Sequence, residues 1–339
     1  MKPEFEIGGR RVGGDAPCFI VAEAGVSHFG DWDLACRLVD LAAEAGADAF
    51  KTQFFEVDRL IACRASDWRD RLRSRNLTLE QSLELKKRCG EKGIFFMSTA
   101  HDDSRISWLE VLDVPVVKVG SGERSNPDYL TALARLGKPM IVSTGMYGVA
   151  DVEEALAACA AGGCDRVVLL HCVTSYPTPP EDVNLRAMDY LRSIFPGPVG
   201  YSDHTEDHLA VLAAVARGAK VIEKHITILR DVPNAQDWKV SAGPDDFAGL
   251  VANIRRVEAM LGNGRKEPSR SELPGMVWAL KSLVAAHDLP AGHVLSRDDL
   301  VAKRPGDGIP PNRINSVIGR RLSCSMAADE PLSEVMLES

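Results

Sequence analysis

Apolar positions along this chain follow two alternating rhythms. Short runs rich in β-branched and aromatic residues read VAEAG (21–25), FKTQF (50–54), FFMST (95–99), VVKVGSGE (116–123), MIVSTG (140–145), VVLLHC (167–172), VGYSDH (199–204) and VIEKHIT (221–227), and stretches of helical period separate them. Runs this apolar suit strands covered on both faces, and eight strand–loop–helix units in succession are what closes a parallel (β/α)8 TIM barrel of the α/β class. Helix signals support the alternation. Asp31 predicts a cap for a helix reaching Ala45 and stopping at Gly46, Thr78 with Gln81 makes a capping box, and Asn126-Pro127 and Asp151 with Glu154 open two more.

Both flanks of the repeat break its pattern. FEIGGRRVGG sets Gly8-Gly9 between short alternating runs, which predicts a hairpin over residues 1–14 that plugs the barrel's lower mouth and serves stability. The barrel, read as the catalytic domain, ends near residue 262. GNGRKEPSRSELPG is polar, without period and rich in Gly, Pro and Ser, so a linker is expected over 263–278. From 279 to 339, short strands alternating with turns at Pro290–Gly292 and Pro305–Gly308 predict a small β-rich domain. A domain of that size has little core of its own, and it is expected to dock on a barrel, its own or a neighbour's.

Composition narrows the class. With 45% hydrophobic and 26% charged residues the chain is ordinary globular protein. A net charge of −8 argues against a nucleic-acid partner, because phosphate-backbone binding needs a basic face. No apolar run approaches the roughly 20 residues of a membrane span, and MKPEFEIGG lacks a signal-peptide core. A cytoplasmic protein with no membrane partner is the expectation. Of the eight cysteines, Cys36, Cys89, Cys159, Cys164 and Cys172 fall inside helix or strand patterns and no C-x-x-C pair occurs, so reduced packing residues are expected, with Cys172 placed to line a pocket.

The chemistry sits where the strands end. Active sites of such barrels lie at the C-terminal strand ends, and those ends here carry Glu23, Lys51, Gln53, Thr99, Lys118, Ser121, Glu123, Ser202, His204, Lys224 and His225. His204 and His225 end consecutive strands, whose backbones lie about 4.8 Å apart, so their imidazoles can meet at one divalent metal. Two protein ligands would leave positions for water or substrate, the arrangement of a Lewis-acid catalyst. Histidines that only hydrogen-bond neighbouring loops are the other reading of the same pair. Lys51, Lys118 and Lys224 with Thr99 and Ser202 form a cluster suited to a multiply charged phosphate or carboxylate. Glu23, Glu123 and Glu223 are at hand to pair with those lysines. Glu123 follows a Gly-Ser-Gly turn whose glycines let the backbone approach a ligand, and its carboxylate suits proton transfer.

AEAG-x-SH (22–28), KTQ (51–53), KVGSGE (118–123), HC-x-x-x-YPTP (171–179), GYSDHT (200–205), EKHIT (223–227) and KRPGDGI (303–309) occur in the order and spacing of the sialic acid synthase family, which the whole chain resembles. The resemblance implies a condensation of phosphoenolpyruvate with the aldehyde of an open-chain amino sugar, N-acetylmannosamine or a related hexosamine, giving a nonulosonic acid and phosphate. It implies manganese or magnesium on His204 and His225, and phosphoenolpyruvate on Lys51, Thr99, Lys118, Ser121, Tyr176 and Ser202. Glu23 and Glu123 match acidic residues near the reacting atoms, with Glu123 the choice for proton transfer, while Gln53 and Asp237 match groups that hold sugar hydroxyls. The tail resembles an antifreeze-like (SAF) domain, which in this family swaps across a homodimer and puts an arginine, here Arg304, into the partner's pocket. Departures gather on the sugar side: Ser27 stands where asparagine is usual, Ala235 to Ser241 reads AQDWKVS where G-P-D-H-K-x-S is usual, Thr174 replaces an asparagine, and STAHD (98–102) replaces STPFD. An acceptor other than N-acetylmannosamine is therefore expected. Trp238 offers a flat apolar face suited to a deoxygenated or more heavily acylated sugar. Two other readings stay open on sequence: a metal-dependent sugar aldolase or isomerase that does not use phosphoenolpyruvate, and a non-catalytic sugar-binding barrel.

Overall fold

The Gly8-Gly9 pair makes a two-residue turn with both glycines at positive φ (58° and 89°), a backbone that matches strand twist but burdens residues with a Cβ. It joins β1 (Glu4–Ile7) to β2 (Arg10–Gly13), paired from Glu4↔Gly13 to Ile7↔Arg10. This hairpin opens a computed structural model that describes residues 1–338, in which the chain forms two units, Met1–Gly262 and Asn263–Ser339.

In the first unit the apolar runs are β3 (Phe19–Gly25), β4 (Ala49–Phe54), β5 (Phe95–Ala100), β6 (Val117–Val119), β7 (Met140–Ser143), β8 (Val167–His171), β9 (Val199–Asp203) and β10 (Val221–His225). They pair in parallel in sequence order, and β10 closes on β3, so the fold is a TIM barrel. The register sets the strand ends abreast: His225 lies opposite Glu23, Gln53 opposite Thr99, and Thr99 opposite Lys118.

Side chains alternate in and out of such a barrel. Phe19, Val21, Ala49, Met97, Val116, Ile141, Val168, Leu170 and Val221 fill its lower interior, together with Phe5, Ile7 and Val12 of the hairpin. That apolar plug is the floor on which the site rests. The alternate set, including Ile20, Ala22, Phe50, Val117 and Leu169, packs outward into the main core with the helices.

The helix Trp32–Glu44 is capped by Asp31, whose carboxylate accepts from Leu34 N at 2.8 Å, and Thr78 with Gln81 closes the capping box of Leu79–Glu91. One helix start is corrected. The helix Val149–Ala161 has Gly148 as its N-cap, and Asp151 stands inside the first turn, accepting from Gly148 N at 2.7 Å. Asp151 is thus the returning half of a box, three residues past the position its sequence suggested.

In the second unit, β11 (Ser282–Ala285) and β12 (Leu300–Lys303) pair antiparallel over a small core that includes Leu283, Leu289, Leu295, Leu300, Val317, Leu322 and Leu332. The stretch read as a linker holds the short helix Leu273–Ala279, with Pro274 in its first turn and Glu272 accepting from Ser269 N. All eight cysteines are free. No helix among the described residues is long and apolar enough to cross a membrane.

Candidate active site

Above the apolar floor, the inward-facing positions turn polar. Glu23, Lys51, Gln53, Thr99, Lys118, Ser121, Ser143, Cys172, Thr174, Tyr176, Ser202, His204, Glu223 and His225 line an inner chamber of about 170 Å³. Each strand contributes at the spacing that filled the layer below: Val21 then Glu23, Ala49 then Lys51, Met97 then Thr99, Val221 then Glu223.

Electrostatics of the chamber centre on Glu223. Its carboxylate lies 3.4 Å from the Lys118 ammonium and 3.6 Å from that of Lys51, and accepts from Ser202 Oγ at 2.9 Å. Burial opposes its charge, but Lys118 and Lys51 outweigh burial and hold it below the usual carboxylate range. Glu23 behaves oppositely. Burial pushes its carboxyl up against the pull of Lys51, and Glu223 adds to the push. Its Oε1 accepts from Gln53 Nε2 at 2.8 Å; its Oε2 stands 2.7 Å from the Lys51 ammonium without an aligned hydrogen bond, so that contact is an ion pair only. Lys51 is raised, because Glu223 and Glu23 overcome its burial, whereas burial and the neighbouring Lys51 lower Lys118 despite Glu223. The two carboxylates are driven apart, the pattern of one proton carrier beside one fixed anion.

Hydroxyls complete the anion-facing wall. Thr99 Oγ1 lies 3.4 Å from Lys51 Nζ, Lys118 donates to Ser143 Oγ at 2.8 Å, and Ser121 Oγ accepts from Gly145 N at 2.9 Å. Gly145 leaves room for this wall: a Cβ there would stand 2.3 Å from Thr174 Oγ1 and 2.8 Å from Ser121 Oγ, so those side chains would have to shift.

The two imidazoles meet as the sequence suggested, with ring centroids 5.5 Å apart. His204 Nδ1 bonds the Val173 carbonyl at 2.7 Å, which fixes the ring and leaves Nε2 beside the Tyr176 hydroxyl at 3.0 Å. His225 Nδ1 is buried without a partner. Burial lowers both histidines, and His204 and Lys51 lower His225 further, so both are neutral near pH 7; the lone pair of His204 Nε2 accepts from the Tyr176 hydroxyl. Among the described residues no set of three or more His, Cys, Asp or Glu is placed to hold an ion.

A second, larger chamber of about 600 Å³ opens above the first and shares Gln53, His101, Gly122, Tyr176 and His225 with it. Glu123 lines this chamber and not the inner one; Asn126 donates to it at 2.7 Å, and burial raises its carboxyl against that bond. Asp237 lies here too, raised by burial against the pull of Arg75. Val26, Phe29, Phe55, Leu60 and Trp238 give the chamber apolar walls.

Two sequence-predicted residues stand elsewhere. Lys224 is corrected from the pocket to the outside of the barrel, where its buried ammonium pairs with Asp203 and donates to the Thr205 carbonyl at 2.8 Å. Alternation is the reason: with Glu223 and His225 inward, Lys224 must face outward. Arg304 belongs to the second unit, its guanidinium 6.0 Å from the Trp278 ring centroid. Glu223, taken from sequence only as a partner for lysines, and His101, not singled out as a site residue, both line the inner chamber; counting back by twos from His225 and forward by twos from Thr99 finds them.

A model of the NeuB family matches residues 38–266, and one of the SAF domain matches residues 281–338. The chain is 40% identical over 337 residues to N,N'-diacetyllegionaminic acid synthase of Legionella pneumophila, covering 94% of each. It is 34% identical over 345 residues to human N-acetylneuraminate-9-phosphate synthase, covering 98% of this chain and 96% of that one. A crystal structure of N-acetylneuraminic acid (sialic acid) synthetase from Leptospira borgpetersenii in complex with citrate aligns with a TM-score of 0.76 and 35% identity, over 80% of this chain and 95% of that one.

Proposed function

The chain belongs to the NeuB family of condensing transferases, and on that premise we propose that it joins phosphoenolpyruvate to an open-chain amino sugar, giving a nonulosonic acid and phosphate. The observation that carries this reading is the stacking of two unlike chambers. The lower is small and set with the Lys51 and Lys118 ammonium groups, a fit for a compact, multiply charged acid. The upper is larger and lined by apolar faces and hydrogen-bonding side chains, a fit for a sugar whose aldehyde end points down.

In this reading Lys51, Lys118, Thr99, Ser121, Ser202 and Tyr176 hold phosphoenolpyruvate with its methylene carbon toward the acceptor. That carbon forms the new bond to the aldehyde carbon, whose oxygen gains a proton and becomes a hydroxyl. Water adds at the former enol carbon; its remaining proton then passes to the departing phosphate as the bond from that carbon to the phosphate oxygen breaks and the carbon becomes a ketone carbonyl. Glu23, its carboxyl pushed up by burial in the inner chamber, takes a proton from the water; Glu123, beside the acceptor, supplies one to the sugar oxygen. A divalent ion, manganese or magnesium, held by His204 and His225 would polarise the acceptor aldehyde. Gln53 and Asp237 meet the sugar's hydroxyls.

For the acceptor we propose a 6-deoxy diacetamido aldose over N-acetylmannosamine. Support comes from the apolar walls around Trp238 and from the 40% identity to a synthase whose named product carries two N-acetyl groups. We propose in addition a homodimer with exchanged C-terminal domains, in which Arg304 completes the partner's sugar site, resting on the KRPGDGI resemblance (303–309).

Phosphate release, measured with phosphoenolpyruvate, manganese and a panel of aldoses, tests the reaction. Release should need both substrates and run fastest with the diacetamido sugar. Sugar turnover without phosphoenolpyruvate would favour an aldolase or isomerase, and preference for N-acetylmannosamine would remove the acceptor assignment. Light scattering, with activity of Arg304→Ala, tests the assembly.

A further inference from the structure

Among the described residues, only His101 lines the inner chamber, the outer chamber and the side cleft that opens beside them. Its place is set by the sheet. It follows β5 at the inward spacing of Met97 and Thr99, and its backbone N donates to the Phe54 carbonyl at 2.8 Å, extending the β4–β5 pairing by one step. The ring lies against the Gly120 backbone, where a Cβ would come 3.6 Å from its Cε1.

Most other polar side chains near this seam are already engaged. Gln53 donates to Glu23, Tyr176 bonds His204, and Glu123 is held by Asn126, whereas His225, the imidazole paired with His204 above, keeps an unpartnered Nδ1. His101 is different: neither ring nitrogen hydrogen-bonds a described residue, and only burial and the charges of Lys51, Lys118 and Asp102 act on it. Burial first, then the two lysines, lower it to about 4, so it is uncharged at working pH. An uncharged imidazole carries one N–H donor and one lone-pair acceptor on opposite sides of the ring. Standing between an anion chamber and a sugar chamber, it can give the N–H to one side and take a hydroxyl or amide hydrogen from the other.

We propose that His101 is a specificity-determining residue whose imidazole accepts a hydrogen bond from the acceptor sugar where the two chambers meet, an assignment that rests on the condensation proposed above. Replacement of His101 should then injure use of the sugar far more than use of phosphoenolpyruvate.

The test uses the full chain with His101→Phe, which keeps a ring, and His101→Gln, which keeps a donor and an acceptor. For His101→Phe the acceptor KM should rise about tenfold, the worth of one hydrogen bond to a polar substrate, with the phosphoenolpyruvate KM and the melting temperature little changed. His101→Gln should recover most of the loss. An acceptor KM within twofold of wild type, an equal rise in both KM values, or no recovery by glutamine would overturn the assignment. Titration calorimetry of the acceptor sugar into wild type and His101→Phe separates this from the reaction itself. If wild type ignores phosphoenolpyruvate, the condensation falls, while a difference in sugar affinity between the two proteins still decides the role of His101.

Discussion

Lys224→Met tests whether that lysine serves the fold or the substrate. The Lys224 and Asp203 side chains are 1% and 0% exposed. Besides its ion pair, Lys224 donates to the carbonyls of Thr205 at 2.8 Å and Asp207 at 3.3 Å, while Asp203 accepts from the Tyr201 and Thr205 hydroxyls at 2.9 Å each. Methionine fills nearly the same volume without branching, so the change removes charge and leaves little cavity. What remains is a carboxylate buried without its counter-ion, a state that costs about 3–5 kcal/mol. For a domain of this size each kcal/mol moves the melting point by about 2–4 °C, so the barrel should melt on the order of 10 °C lower. Pairing the change with Asp203→Asn removes the stranded charge and should recover more than half of the loss in a double-mutant cycle read by urea denaturation. The phosphoenolpyruvate KM of the folded fraction should stay within threefold. A stability loss under about 1 kcal/mol, or intact stability with collapsed phosphoenolpyruvate binding, would refute the outward assignment.

Further outcomes follow from the same geometry. Gly145→Ala should abolish phosphoenolpyruvate binding in calorimetry while the melting point moves little, because its Cβ would stand 2.3 Å from Thr174 Oγ1 and push into the anion wall; unchanged affinity would contradict that. Chelation with EDTA should stop phosphate release, and added manganese or magnesium should restore it; full activity after exhaustive chelation would exclude a metal role for His204 and His225. In the second unit burial would raise Asp299, but hydrogen bonds from His293 and Ser296 outweigh it and hold the carboxyl at about 2. A folded value below the unfolded one stabilises above the unfolded pKa, and the gain disappears as pH falls from about 4 toward 2. Hydrogen exchange of the β11 and β12 amides should therefore quicken across that window in wild type and not in Asp299→Asn; identical profiles would sink the assignment.

The barrel was legible because β-branched runs that stay apolar until their last residues have few other uses. Most of the site followed, since polar residues at strand ends can only gather at one mouth. Lys224 and Glu223 show where the reading by residue type failed: neighbours in sequence face opposite sides, and only the count by twos from His225 tells them apart. The upper chamber was legible in part: Gln53, Glu123, Asp237 and Trp238 line it, while one stretch of its wall gave no signal. Helices Val57–Leu60 and Ser66–Arg73 carry too short an apolar pattern to announce themselves, yet Leu60, Trp68 and Leu72 face the cavity. The helix Leu273–Ala279 was hidden in a polar stretch whose only start signal was a proline.

The hairpin that stoppers the barrel from below leaves the site to be entered from the strand-end side alone. Under the proposed reaction both substrates arrive by that end, and an aldose already berthed in the upper chamber narrows the way down to the lysines to the cleft beside His101. The direction of traffic is thus set by Phe5, Ile7 and Val12, residues that never meet a substrate.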